Sequence, residues 1–226
     1  MRRDEFRDAL RRAAEITGDR DLVVIGSQSI HGAFAPAVMP AAATASGEVD
    51  ILAAHDVDGD KTWLLAGRGA GWGEQAEIDG VDITTATLPE GWADRLIAFP
   101  LDDRPDGVIG WCLDPHDLVV AKAIAGRDKD RQFIKALVQA RLIDPAVSLH
   151  RLSALDPGCR QPRAGEVERA GVYLASLPRP DSVYRPASRR APKGRHRPTR
   201  RDFPAPADMW RDLRDGRAEA DGPQDP

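Results

Sequence analysis

Residues 22–27, Leu-Val-Val-Ile-Gly-Ser, and residues 48–53, Glu-Val-Asp-Ile-Leu-Ala, are the stretches whose reading decides the fold. The first is short, rich in β-branched residues and bounded by Asp21 and Gly26, the pattern of a buried strand. Residues 27–34 suit a short helix, so the chain turns from strand to helix at Gly26-Ser27. In the second stretch, alternation sets Val49 and Ile51 on one face and Glu48, Asp50 and Leu52 on the other. Two carboxylates so placed repel each other unless a hard cation lies between them.

Outward from this pair, Phe6, Leu10, Ala13, Ala14 and Ile16 follow a helical period, which predicts an amphipathic helix over 3–17 that Gly18 ends. Residues 35–46, with two prolines and many small side chains, read as a loop, and 61–66 as a helix. Asp79-Gly80 is a hairpin signal, predicting strands at 77–78 and 81–87; 96–101 and 108–113 are two further strands. Beyond them the pattern turns helical. Asp114 suits an N-cap, Pro115 the first helical position and Asp117 a capping-box acid, with the helix running to Ala125 and stopping at Gly126. Phe133, Ile134, Leu137 and Val138 mark another helix, and 147–155 and 167–177 two more. No internal repeat is present. The expected architecture is α/β (α+β): a mixed sheet with flanking helices in a core over 1–113, a helical part over 114–177, and a tail over 178–226. That tail is rich in Pro, Arg, Asp and Gly and poor in apolar residues, so it is expected to be disordered.

The chain has 226 residues, 42% hydrophobic and 30% charged, with a formal net charge of -4, so overall charge does not point to a nucleic-acid partner. Two cysteines, Cys112 and Cys159, form no metal-ligand spacing, and a reducing, cytoplasmic setting is expected. The first sixteen residues are charged throughout, unlike a secretory leader, and no apolar run is long enough to span a membrane. Trp63, Trp72, Trp92 and Trp111 are expected to fill the core or its edges. The basic stretch 185–201 is either an electrostatic arm for nucleic acid or a solvated tail.

The chemistry concentrates on the strand–turn–strand unit. Mg²⁺ takes oxygen ligands, typically one or two carboxylates plus substrate phosphates. A Gly-Ser turn leading into a helix offers backbone N–H groups and a hydroxyl to phosphate. Together these parts suit phosphoryl transfer, which relies on positioning and charge neutralisation. The alternatives are a half-exposed acidic strand and a plain serine-capped turn.

Gly26-Ser27 followed by Glu48-Val49-Asp50 resembles the signature of the polymerase-β-like nucleotidyltransferase superfamily. More narrowly, residues 23–34, 48–51, 88–96 and 110–137 resemble an uncharacterised bacterial branch related to AbiE-type toxin nucleotidyltransferases. The resemblance covers roughly 5–150. It departs in a longer insert between Ser27 and Glu48 and in a glutamate as the first metal ligand. It implies an enzyme that uses Mg²⁺ and an NTP, with Glu48 and Asp50 on the metal and Gly26, Ser27, Lys122 and Arg127 on the nucleotide. It further implies transfer of an NMP to a hydroxyl of RNA (tRNA) or protein, a toxin-like role and an antitoxin-like partner. A third carboxylate is expected on a later strand, and Asp82 is the candidate unless the adjacent turn leaves it facing solvent. Lys122, in the apolar run Leu118–Ala125, either serves the site or snorkels. A catalytically degenerate fold that binds nucleotide or RNA is the alternative function.

Overall fold

The structure is a computed structural model; it describes residues 1–53, 56, 59–67, 78–104, 106–184, 191–192 and 194–203. Five strands form one mixed sheet: β1 (Asp21–Val24), β2 (Val49–Ala53), β3 (Ile78–Gly80), β4 (Ile97–Pro100) and β5 (Ile109–Cys112), in the order β3-β2-β1-β5-β4. The central β1 runs antiparallel to β2 and parallel to β5. The outer pairs are parallel for β2/β3 and antiparallel for β4/β5.

The sheet buries both faces, and strict alternation assigns them. Leu22, Val24, Val49 and Ile51 pack with Phe6, Leu10 and Phe99 beneath α1 (Arg3–Thr17). Val23, Ile25, Leu52 and Trp111 belong to the opposite core. That core is covered by α4 (Pro115–Ala125), α5 (Asp128–Gln139), α6 (Pro145–Arg151) and α7 (Glu166–Ala175). The helical part over 114–177 thus shares one core with the sheet. Asp50, between Val49 and Ile51, points to the α4 side.

Several elements differ from expectation. Residues 27–34 form a 3₁₀ turn, Ser27–Ser29, and then only four residues of α2 (Ile30–Ala33). Asp79-Gly80 is no hairpin turn: both residues lie in β3, paired in parallel with β2. A Cβ on Gly80 would strike the Thr62 carbonyl and Leu65 of α3 (Asp60–Leu65), so this glycine permits close helix–sheet packing. Residues 81–87 are not a strand either; they hold a 3₁₀ turn, Ile83–Thr85. Trp92 and Trp111 are buried, with indole N–H groups donating to Asp156 at 3.0 Å and Asp21 at 2.8 Å. Trp63 stands on the exposed side of the short α3; Trp72 lies outside the described residues.

The expected free tail divides. Arg195 pairs with Asp21 at 2.6 Å, Arg200 with Asp156 at 2.9 Å, and Arg197 donates to the Asp94 carbonyl. Phe203 is buried, its ring 5.3 Å from that of Trp92. Residues 194–203 are therefore a strap across the domain: paired guanidinium groups and one anchoring ring offset the ordering entropy that composition alone counts against them. Residues 185–190, 193 and 204–226, including much of the basic stretch, lie outside the described residues. No described helix is long and apolar enough to cross a membrane.

Candidate active site

A cleft of about 800 Å³ opens between the edge of the sheet and α4–α5. Its floor follows the strand order. Gly26-Ser27 leaves the end of β1, Asp50 projects from β2 and Asp79 from β3, with the register pairing Asp50 to Asp79. Glu48, just before β2, joins them at the wall. Asp50 lies so tightly over the β1 turn that a Cβ on Gly26 would fall on its carboxylate. Only glycine fits beneath that side chain.

Burial, then the neighbouring Asp79 and to a smaller extent Glu48, push the Asp50 carboxyl above its ordinary range; Lys122 across the cleft pulls it back. Such like-charge crowding is what a bound cation relieves. Among the described residues no three His, Cys, Asp or Glu side chains converge to hold a metal by themselves. Carboxylate oxygens such as those of Glu48 and Asp50 are the donor type that hard cations take.

The opposite wall is cationic. Lys122, only 9% exposed, places its ammonium 3.0 Å from Asp130 and 4.6 Å from the centre of the Phe133 ring. Burial lowers its pKa, and Asp130 opposes the shift. The Arg127 guanidinium also grips Asp130, at 2.6 and 3.3 Å. Asp130 is fully buried; burial pushes its carboxyl up, but Arg127 and Lys122 outweigh that and hold it below its usual range. One carboxylate thus fixes two cations facing Asp50. Lys122 does not snorkel to open water; Asp130 holds it in the wall.

Of the residues expected at the site, Gly26, Ser27, Glu48, Asp50, Lys122 and Arg127 all line this cleft. Asp82 does not. Its carboxylate caps the following 3₁₀ turn, accepting from the Thr84 amide at 2.6 Å and from the Thr84 hydroxyl. Beside Glu48 and Asp50 the cleft carries Asp79 instead, hidden in the sequence by the Asp-Gly turn signal. Asp114 and Asp117 act at the start of α4. Asp114 caps it through the His116 amide, and Asp117 pairs with Arg95 and Arg151 at 2.8 Å each. His31 is buried against Phe6, away from the cleft lining.

Residues 4–155 match a family model described as nucleotidyltransferase of unknown function (DUF6036). Comparison with curated proteins and with solved structures gave no match.

Proposed function

Because the chain belongs to this nucleotidyltransferase family, matched over 4–155, we propose that it transfers an NMP from an NTP to a hydroxyl, with Mg²⁺ as cofactor. The observation that carries this reading is one cleft lined by Ser27 in the turn after β1, Asp50 on β2 and its register partner Asp79 on β3, with Lys122 and Arg127 in its wall. Ser27 and the Gly26 backbone hold the β- and γ-phosphates at the β1 turn. Glu48 and Asp50 would hold Mg²⁺, which supplies charge neutralisation between carboxylates and phosphates. Lys122 and Arg127 lie where charge develops on the phosphates as the bond to the leaving group lengthens. The acceptor oxygen bonds to the α-phosphorus, the bond to the bridging oxygen breaks, and pyrophosphate leaves. Asp79, in the place expected of Asp82, takes the acceptor's proton.

RNA such as tRNA, or protein, supplies the acceptor hydroxyl. The resemblance to AbiE-type enzymes supports a toxin-like role in the cytoplasm with an antitoxin-like partner protein. The test incubates the full chain with Mg²⁺, each labelled NTP in turn and total tRNA, and follows label into RNA and into protein. Label transfer that EDTA and Asp50→Asn abolish is the expected result. Nucleotide binding with no label in either acceptor would overturn the enzyme reading in favour of a nucleotide- or RNA-binding module.

A further inference from the structure

The cleft is also lined by two residues that the family model does not reach, Arg160 and Glu166. Thr85, Ala86 and Thr87 line it too, and Arg160 is tied to that segment. Its amide donates to the Ala86 carbonyl at 3.2 Å, and its Nη1 to the Thr87 hydroxyl at 3.1 Å. Its Nη2 meets both oxygens of Glu166, at 3.1 and 2.9 Å. Glu166 is fixed in turn by the Arg163 amide, 2.8 Å away. The guanidinium is therefore oriented before any ligand arrives, and Arg160 and Glu166 both line the cleft. A guanidinium has five N–H donors, and these contacts leave some of them for a ligand.

We propose that Arg160 is an acceptor-side specificity residue that takes a phosphate group of the acceptor, with Glu166 and Thr87 as its positioning residues. This rests on the transferase reading above. With the triphosphate's leaving end at Ser27, in-line displacement brings the acceptor in opposite that end, and Arg160, bonded to Thr87 and Glu166 instead of to the β1 turn, is a cationic group of the same cleft that can meet it. The Nε–H and second Nη1 hydrogen that these contacts leave offer charge-assisted hydrogen bonds, which suit a phosphate oxygen better than a lone hydroxyl. The acceptor class is thus a phosphate-bearing molecule rather than an unmodified protein side chain.

The experiment measures binding, so it does not depend on turnover. The full chain with Mg²⁺ is titrated with a short RNA oligonucleotide, with ribose 5-phosphate and with an unphosphorylated nucleoside. NTP binding is followed separately by calorimetry. Arg160→Gln, which keeps a hydrogen-bonding group near Thr87, is expected to weaken the phosphate-bearing ligand about tenfold or more while NTP affinity stays within about twofold. Glu166→Gln, which frees the guanidinium without removing it, is expected to give a smaller loss, and thermal melts verify that both variants fold. Oligonucleotide binding without ribose 5-phosphate binding assigns the phosphate to a nucleic-acid backbone; binding of both assigns it to a free phosphomonoester. Equal weakening of NTP, unchanged acceptor binding in Arg160→Gln, or transfer only to protein would each overturn the assignment. Failure of the transferase reading shows separately, as NTP bound by the wild type with no label transferred.

Discussion

Asp50 sits in a place that disfavours its own charge. Burial and the Asp79 carboxylate raise its pKa, so without a cation the ionised side chain strains the fold. Asp50→Asn is therefore expected to raise the melting temperature by a few degrees in EDTA, about 2–4 °C for each kcal/mol in a chain of this size. Mg²⁺ with NTP should then raise the melting point of the wild type but not of the variant; differential scanning calorimetry reads both. His31 carries the opposite kind of burden. Burial, the Arg3 charge and the terminal ammonium bring its pKa down from 6.5 to about 4. The folded chain holds the ring neutral while the unfolded chain protonates it. Its contribution is complete above pH 6.5 and is lost as pH falls from there toward 4, on the order of 3 kcal/mol at 1.4 per pH unit. Urea titrations at pH 7.5 and 4.5 should show that loss in the wild type and a smaller one in His31→Phe, which keeps the stack on Phe6. An equal loss in both would place the acid sensitivity elsewhere.

At the scale of elements, the start of α4 ties sheet to helices. Asp114 caps the helix at 2.9 Å and pairs with Arg151 of α6 at 2.6 Å. Burial opposes its charge, but the His116 and Arg151 contacts outweigh burial and hold its pKa near 2. Asp114→Ala is expected to cost about 1–2 kcal/mol at neutral pH by urea denaturation. Since the folded pKa is the lower one, the difference should shrink only as pH falls from about 4 toward 2. This element was legible because cap, proline and apolar run are all local signals, as were α1, β1 and β2 with their carboxylates. β3 was not. Asp79-Gly80 carries the chemistry of a turn, and neither its parallel pairing with β2 nor the close packing of α3 on Gly80 is a signal local to those two residues. The turn signal favours Asp82, whereas the residue that lines the cleft is Asp79, three positions earlier. The strap escaped notice for a related reason: composition records the scarcity of apolar residues, not where single arginines find buried carboxylates.

At the scale of the molecule, sheet, helices and strap form one body. Phe203 on Trp92 and Arg200 on Asp156 fasten the last described residues to the segment just before Arg160. Truncation before Gly194 is expected to cost roughly 2–4 kcal/mol, since it uncovers the Trp92 ring and takes the Arg200 guanidinium from Asp156. Trp92 fluorescence should shift to the red, and an unchanged melting curve would refute the strap's role. A broader consequence concerns Asp156–Arg160, the span where the matched family region ends. The cleft carboxylates Glu48, Asp50 and Asp79 lie wholly within 4–155, whereas Arg160, Glu166 and the strap follow it. The engine and its fitting are thus written in separate lengths of chain. On the reading proposed above, substitutions beyond residue 155 can therefore change which acceptor is held while leaving the carboxylates untouched.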